Sequence, residues 1–458
     1  MPSDPTSPEK ADATPDPGAG RNPHPSTDEP SAAEPTIDEP NAAESNAAEP
    51  STDGHRRWWR RPRTLTVAAL AVILAAAPFV PRGDDEEAGR IAPAAQPALA
   101  STVGPGKVTA EMQAEIDAVL AEGQQARVSG RSLPGQLATN LVRCALFEGQ
   151  RYCLGNGWTT STEAEVQARM AAAARVAARS GSRRERTGDL DAAALLRRQA
   201  RLNPAQRARK ERAELTQAAR SVAKVWLLRH ELQGTPLPED FLDLHPEARA
   251  DTGGAGGTAA RAGAPNTPAT YPRAAKILDK RQVAEQVQSY WCGPATTAMI
   301  QWGWYGKPRS QAKMASVLGT TSAGTAITDI VRVVNRRSGW DRPTYAGKYV
   351  ALDISDWSFN QWWNLIQRHV ADYKAPVVLH PVLLKRFYPY LDDDASGHFQ
   401  VGRGYHNTKN GLRFLGYFEP WNQQRFDRSE PFIARVQWRR AYRSYRANQA
   451  HFQHNIGV

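Results

Sequence analysis

Cysteine is scarce, with three in 458 residues, which excludes a disulfide-dense scaffold and a four-cysteine zinc site within one chain. No phosphate-binding Gly-rich loop and no spaced set of metal ligands is present, so no cofactor and no metal is expected. Basic residues are nearly missing from residues 1–54, where only Lys10 and Arg21 stand against twelve Asp/Glu, while eleven prolines lie between Pro2 and Pro50. A stretch of this composition cannot bury enough apolar area to offset chain entropy, and it reads as a disordered acidic tail. The whole chain is nevertheless at +11, so the remainder is strongly basic.

Long apolar runs are also lacking, with one exception over residues 64–80. Its seventeen residues would span roughly 25 Å as a helix, a little under a ~30 Å hydrocarbon core. Five arginines and Trp58-Trp59 precede the run, and Asp84-Asp85-Glu86-Glu87 follow it. That asymmetry predicts a single transmembrane helix within 55–82, its N-terminus cytoplasmic and everything beyond it extracytoplasmic. A cleaved signal peptide is the rival, given the small-x-small triplets Ala75-Ala76-Ala77 and Ala98-Leu99-Ala100, and it leads to the same compartment.

After a linker at 83–105, residues 106–248 read as a basic helical ectodomain. Met112, Ile116, Val119 and Leu120 form one stripe. Thr162-Glu163-Ala164-Glu165 and Asn203-Pro204 are helix starts. Between them and the stripe, Cys144 to Cys153 reads as a hairpin turning at Glu148-Gly149, and outside the cell these two cysteines are the natural disulfide pair. Basic residues outnumber acidic ones two to one between Glu163 and Leu232. No base-reading motif accompanies them, so solvated helix faces and no nucleic acid are expected, contact with an anionic cell-wall polymer or lipid surface being the other reading. A Gly/Ala/Pro linker at 249–272 then marks a boundary, because residues 273–458 hold nine of the thirteen tryptophans.

Chemistry concentrates in that last part. Cys292 stands just ahead of Pro294 at a predicted helix start, where unpaired amides and the macrodipole stabilise a thiolate. Gln286, six residues upstream, is placed to donate its amide to a developing oxyanion together with the Cys292 backbone N–H. His398, in Gly397-His398-Phe399-Gln400-Val401, is the candidate base. A four-residue loop at 407–410 would set His406 opposite Gly411 and His398 opposite Glu419, whose carboxylate would orient the imidazole. His380 is the alternative base, and Asn407 or Asp427 the alternative orienting residue. Asp392-Asp393-Asp394 is expected to be a solvated loop rather than a cation site. A helix from Ser358 to about Asp372 should pack the tryptophans at 357, 362 and 363 into the core, a groove wall being the other reading.

The pattern Gln-x5-Cys-Gly-Pro-Ala, a Gly-His strand and a strand ending in acid-Pro-Trp resembles the papain-like cysteine peptidases of the bacteriocin-leader (double-glycine) type. The resemblance covers about Ala274 to Trp438 and implies Cys292 as nucleophile, His398 as general base, Glu419 as orienting acid and Gln286 as oxyanion donor. The family usually carries Asp-Pro where this chain has Glu419-Pro420. Its leader-cleaving role is not carried over, because nothing here resembles the transporter to which such domains are usually fused. The expected fold is therefore α+β, a papain-like domain behind a transmembrane helix and a basic helical region. The expected function is hydrolysis of a peptide or amide bond in an extracytoplasmic peptide or protein substrate. A catalytically inactive wall- or protein-binding module and a cell-wall peptide amidase or acyltransferase are the alternatives.

Overall fold

The computed structural model describes residues 102–180, 185–249 and 270–458. The predicted tail at 1–54, the membrane segment at 55–82, and nearly all of the linkers at 83–105 and 249–272 lie outside them. Among the described residues no helix is long and apolar enough to cross a membrane.

The fold of the described residues is α+β, built on ten strands: β1 (Cys144–Phe147), β2 (Gln150–Cys153), β3 (Gly157–Thr159), β4 (Ala274–Lys276), β5 (Ala351–Asp353), β6 (Val377–Leu379), β7 (Gln400–Asn407), β8 (Arg413–Phe418), β9 (Val436–Arg440) and β10 (Asn455–Gly457). They form one sheet in the order β1-β2-β3-β5-β10-β6-β7-β8-β9, with β4 pairing to β7 beyond the end of β6. The sheet is apolar on both faces. In β6, Val377 and Leu379 join one cluster with Trp362, Trp363 and Tyr417, while Val378 joins another with Met299, Ile300 and Phe399, as the two-residue period of a strand requires.

The expected separation of 106–248 from 273–458 into two bodies does not hold. β3 runs parallel to β5 with Trp158 opposite Leu352, and Asp353 of β5 accepts hydrogen bonds from Thr159 (2.9 Å) and Arg169 (3.0 Å). All the described residues fall in one compact unit. Trp158 is fully buried in a cluster that joins residues of both parts, among them Ile116, Phe147 and Leu215 with Leu352 and Trp357.

Local signals act as their chemistry dictates. Thr162 and Glu165 form a reciprocal cap, and Asn203 caps the Pro204–Ala219 helix with Gln206. Glu148 and Gly149 turn the β1–β2 hairpin at positive φ, 48° and 78°, as a tight two-residue hairpin turn requires. A disulfide joins Cys144 to Cys153 across it. The helix predicted from Ser358 runs as Phe359–Gln367 and ends in a π turn, Arg368–Asp372. Trp357, Trp362 and Trp363 are buried in the core and line no groove.

The β7–β8 register differs from expectation. His406 faces Phe414, not Gly411, because the loop is longer, with Thr408 N–H donating to Leu412 O at 2.8 Å. A bulge at Arg403 then shifts the ladder between Gly402 and Gly404. Arg403 is held there by its bond to Leu278 O at 2.6 Å. His398 precedes β7 and Glu419 follows β8, so the two meet through side-chain reach, not as directly opposed residues.

Candidate active site

Cys292 is the first residue of the Cys292–Tyr305 helix, whose first ten residues are buried. This helix is mostly apolar all round and packs between the sheet and its neighbouring helices, which fixes its N-terminus deep in the domain. The thiol is fully buried. Burial pushes it well above its ordinary pKa, and the nearby Asp189 carboxylate adds to that. The backbone N–H groups of Phe399 and Gly293 pull the other way.

Phe399 follows His398, whose backbone N–H donates to Pro381 O at 2.9 Å. His398 Nε2 lies 2.6 Å from Glu419 Oε1. Glu419 is also fully buried and accepts three more hydrogen bonds: Trp421 N–H at 2.9 Å on Oε1, and Tyr390 Oη at 2.8 Å and Gln400 Nε2 at 2.7 Å on Oε2. The longer glutamate side chain is accommodated by this ring of donors, which holds the carboxylate against the imidazole. Nδ1 of His398 is buried and has no hydrogen-bond partner among the described residues. Cys292 and His398 are therefore brought to one site but are not hydrogen-bonded to each other.

His380, the alternative base, is committed elsewhere. Its Nδ1 is 2.7 Å from Asn455 Oδ1, its Nε2 is 2.9 Å from Asp189 Oδ1, and its ring stacks on Phe399 at 4.3 Å. Nδ1 is thus engaged by Asn455, and Nε2 faces the Asp189 carboxylate. Asn407 accepts a bond from Trp363 Nε1 at 3.2 Å and lies at the far end of β7, while Asp427 caps Ser429 on the surface. Neither reaches His398. Asp392 and Asp394 are occupied in loop contacts, with Gln423 Nε2 donating to Asp392 Oδ1 at 2.9 Å and Lys385 N–H to Asp394 Oδ1 at 2.9 Å.

Gln286 is buried, anchored by its own N–H to Pro420 O at 2.9 Å. Its Nε2 donates to Thr187 O at 3.0 Å, and also to Gln288 O and Ser289 O. The Cys292 backbone N–H donates to the same Thr187 O at 3.3 Å. The two groups expected to cradle an oxyanion thus converge on one carbonyl oxygen, which belongs to the chain itself.

Thr187 lies in a segment, 185–190, that local sequence reading passed over as part of the basic helical region. Two residues on, Asp189 sits between two imidazoles, 2.9 Å from His380 Nε2 and 2.9 Å from His451 Nε2. Burial alone would raise the Asp189 carboxyl, yet the facing His380 and His451 hold it down at about 2. Burial and the neighbouring His380 lower His451 to about 4, against the pull of Asp189. The ligand atoms of these three residues lie within 4.8 Å of one another, a spacing a metal ion could also bridge. His451 is hydrogen-bonded to Asp189 Oδ2 and His380 Nε2 closes on Oδ1 as an ion-pair contact, and the group acts as a clamp on the segment. The one local signal was the helix-breaking Thr187-Gly188-Asp189 between two helices. Its contacts lie 99 to 262 residues away in sequence, so no spacing rule could reveal them.

No curated protein matches the chain. Residues 279–447, which carry Cys292, His398, Glu419 and Gln286, match the model of the Peptidase_C39 like family, and that match supports a C39-like peptidase domain over this part of the chain.

Proposed function

We propose that the domain is a cysteine peptidase that hydrolyses a peptide or amide bond through a thioester on Cys292. The observation that carries this reading is the buried His398–Glu419 pair, with Nε2 held at 2.6 Å and Nδ1 uncommitted, beside a helix that begins with a cysteine. His398 takes the thiol proton at Nδ1 while Glu419 fixes the ring and stabilises its charged form. The Cys292 N–H and Gln286 amide stabilise the oxyanion, and His398 returns the proton to the leaving amine.

The reading places the domain outside the cytoplasm, anchored through the segment at 64–80. The Cys144–Cys153 disulfide supports an oxidising compartment. The substrate is a peptide or protein, and the basic helical region faces an anionic cell-wall polymer or lipid surface. A binding module without catalysis is favoured by one observation, the full burial of the Cys292 thiol, which pushes its pKa up. Wild type and Cys292→Ala should be compared on a peptide library and on muropeptides. Loss of all hydrolysis in Cys292→Ala supports the peptidase reading, and cleavage confined to muropeptides makes it a cell-wall amidase. A biological function fully retained by Cys292→Ala leaves only the binding module.

A further inference from the structure

Cys292, His398, Glu419, Gln286 and Thr187 are all completely buried. Seated on the Cys292 backbone N–H is the chain's own segment 185–190, which arrives from outside the residues that match the peptidase family. It bends at Gly188 and is held on both sides of that bend, bridging to Ala395 through Glu185 and to Thr325 through Asp189. Ser396 N–H donates to Glu185 O at 2.9 Å, Thr187 N–H to Ser396 Oγ at 3.0 Å, and Thr187 Oγ1 to Gly397 O at 2.7 Å. Downstream, Thr325 N–H donates to Gly188 O at 2.8 Å, Leu190 N–H donates to Thr325 O at 3.1 Å, and Asp189 is clamped by His380 and His451.

Between these two anchored halves sits the Thr187–Gly188 peptide bond, its oxygen on the Cys292 N–H and the Gln286 amide. Contacts of 3.3 and 3.0 Å to a neutral carbonyl are those of donors that tighten once the oxygen gains charge. The residue after that carbonyl has to be glycine. Its φ is +115°, and a Cβ there would lie 2.4 Å from the carbonyl group of Tyr290, two residues before the nucleophile.

We propose that the first bond this domain cuts is its own Thr187–Gly188 bond, and that the cut opens the cleft to other substrates. The proposal rests on the peptidase reading above and adds the bond and the order of events. Cys292 Sγ bonds to the Thr187 carbonyl carbon as its proton passes to His398. The C–N bond to Gly188 breaks, and the Gly188 amine leaves with the proton from His398. Water then adds to the thioester, giving a Thr187 carboxylate and the free thiol. Both disulfide cysteines lie upstream of the cut, so no covalent link holds the products together.

The test is intact-mass analysis and N-terminal sequencing of the full-length protein, denatured after incubation at several dilutions. Wild type should give fragments 1–187 and 188–458, the second beginning Gly-Asp-Leu, their masses exceeding the precursor by one water, at a rate independent of dilution. Cys292→Ala should stay intact. Gly188→Val, which has no room for its side chain, and Asp189→Ala, which releases the clamp, should each displace the segment and speed iodoacetamide alkylation of Cys292 roughly tenfold or more. Cleavage that persists in Cys292→Ala overturns the proposal. An intact wild type alongside a displaced-segment variant that cleaves peptides in trans also overturns it while leaving the peptidase reading standing. Variants whose Cys292 reacts no faster than an ordinary thiol would remove both.

Discussion

Four hydrogen bonds end on the Glu419 carboxylate, and they make its replacement by an amide a test of two things at once. Glu419→Gln keeps the shape but turns one oxygen into a donor that must face a group already donating to it. The change should slow hydrolysis by roughly 10² to 10⁴-fold, as loss of a charge behind a catalytic imidazole does. It should also cost about 1 to 3 kcal/mol of stability through the unmade hydrogen bond. Turnover with matched melting curves checks both, and unchanged turnover removes Glu419 from the site. The thiol gives a second expectation. With residues 185–190 in place and uncut, burial and Asp189 push the Cys292 thiol up, so in freshly prepared, uncleaved wild type iodoacetamide should react only at high pH, and the profile should move down in Asp189→Ala. An identical profile in both proteins would show that the segment does not govern the thiol. Cys292, Gln286 and His398 were legible because a helix start, a six-residue spacing and a Gly-His strand are local patterns. Thr187 and His451 were not, since each matters only through partners brought from far along the chain.

Elements followed their local signals and departed from them where neighbours intervened. The caps at Thr162 and Asn203 and the Glu148-Gly149 turn depend on a few adjacent residues, and the structure has them where the sequence places them. The β7–β8 register depends on where a loop closes and on the bulge at Arg403, whose side chain donates to Leu278 O in the loop after β4. Pattern alone could not count that extra residue. The union of β3 with β5 was equally hidden, because a Gly/Ala/Pro stretch marks a break in the chain and not a break in the sheet. The β1–β2 hairpin carries its own prediction. Its disulfide closes a short loop, of sequence separation 9, so reduction should cost about 2 to 3 kcal/mol by the chain-entropy estimate. Hydrogen exchange should rise in Cys144–Cys153 and in β3 beside it, with no new adduct-forming site near Cys292. Exchange that stays flat on reduction would show that packing around Trp158 alone holds the hairpin.

At the scale of the whole molecule, Asp189, His380 and His451 tie together the N-terminal region, the end of β6 and the turn before β10. That makes the fold sensitive to acid in a defined order. His451 is lowered to about 4 in the folded protein, whereas an unfolded histidine takes its proton near 6.5. Between those two values the unfolded chain binds a proton that the folded chain does not, so stability falls as pH drops through this window and levels off below it. The size is on the order of 3 kcal/mol for a shift of this extent. Asp189 acts next. Its carboxyl titrates at about 2 when folded and near 3.9 when unfolded, so its contribution is complete above that higher value and is lost on further acidification. Urea midpoints measured from about pH 7 down to about pH 4 should therefore decline steadily in wild type. His451→Gln, which keeps a donor for Asp189 but cannot titrate, should decline less steeply over the same range. Parallel slopes in the two proteins would mean that His451 takes its proton as readily folded as unfolded, and that Asp189 is held by His380 alone.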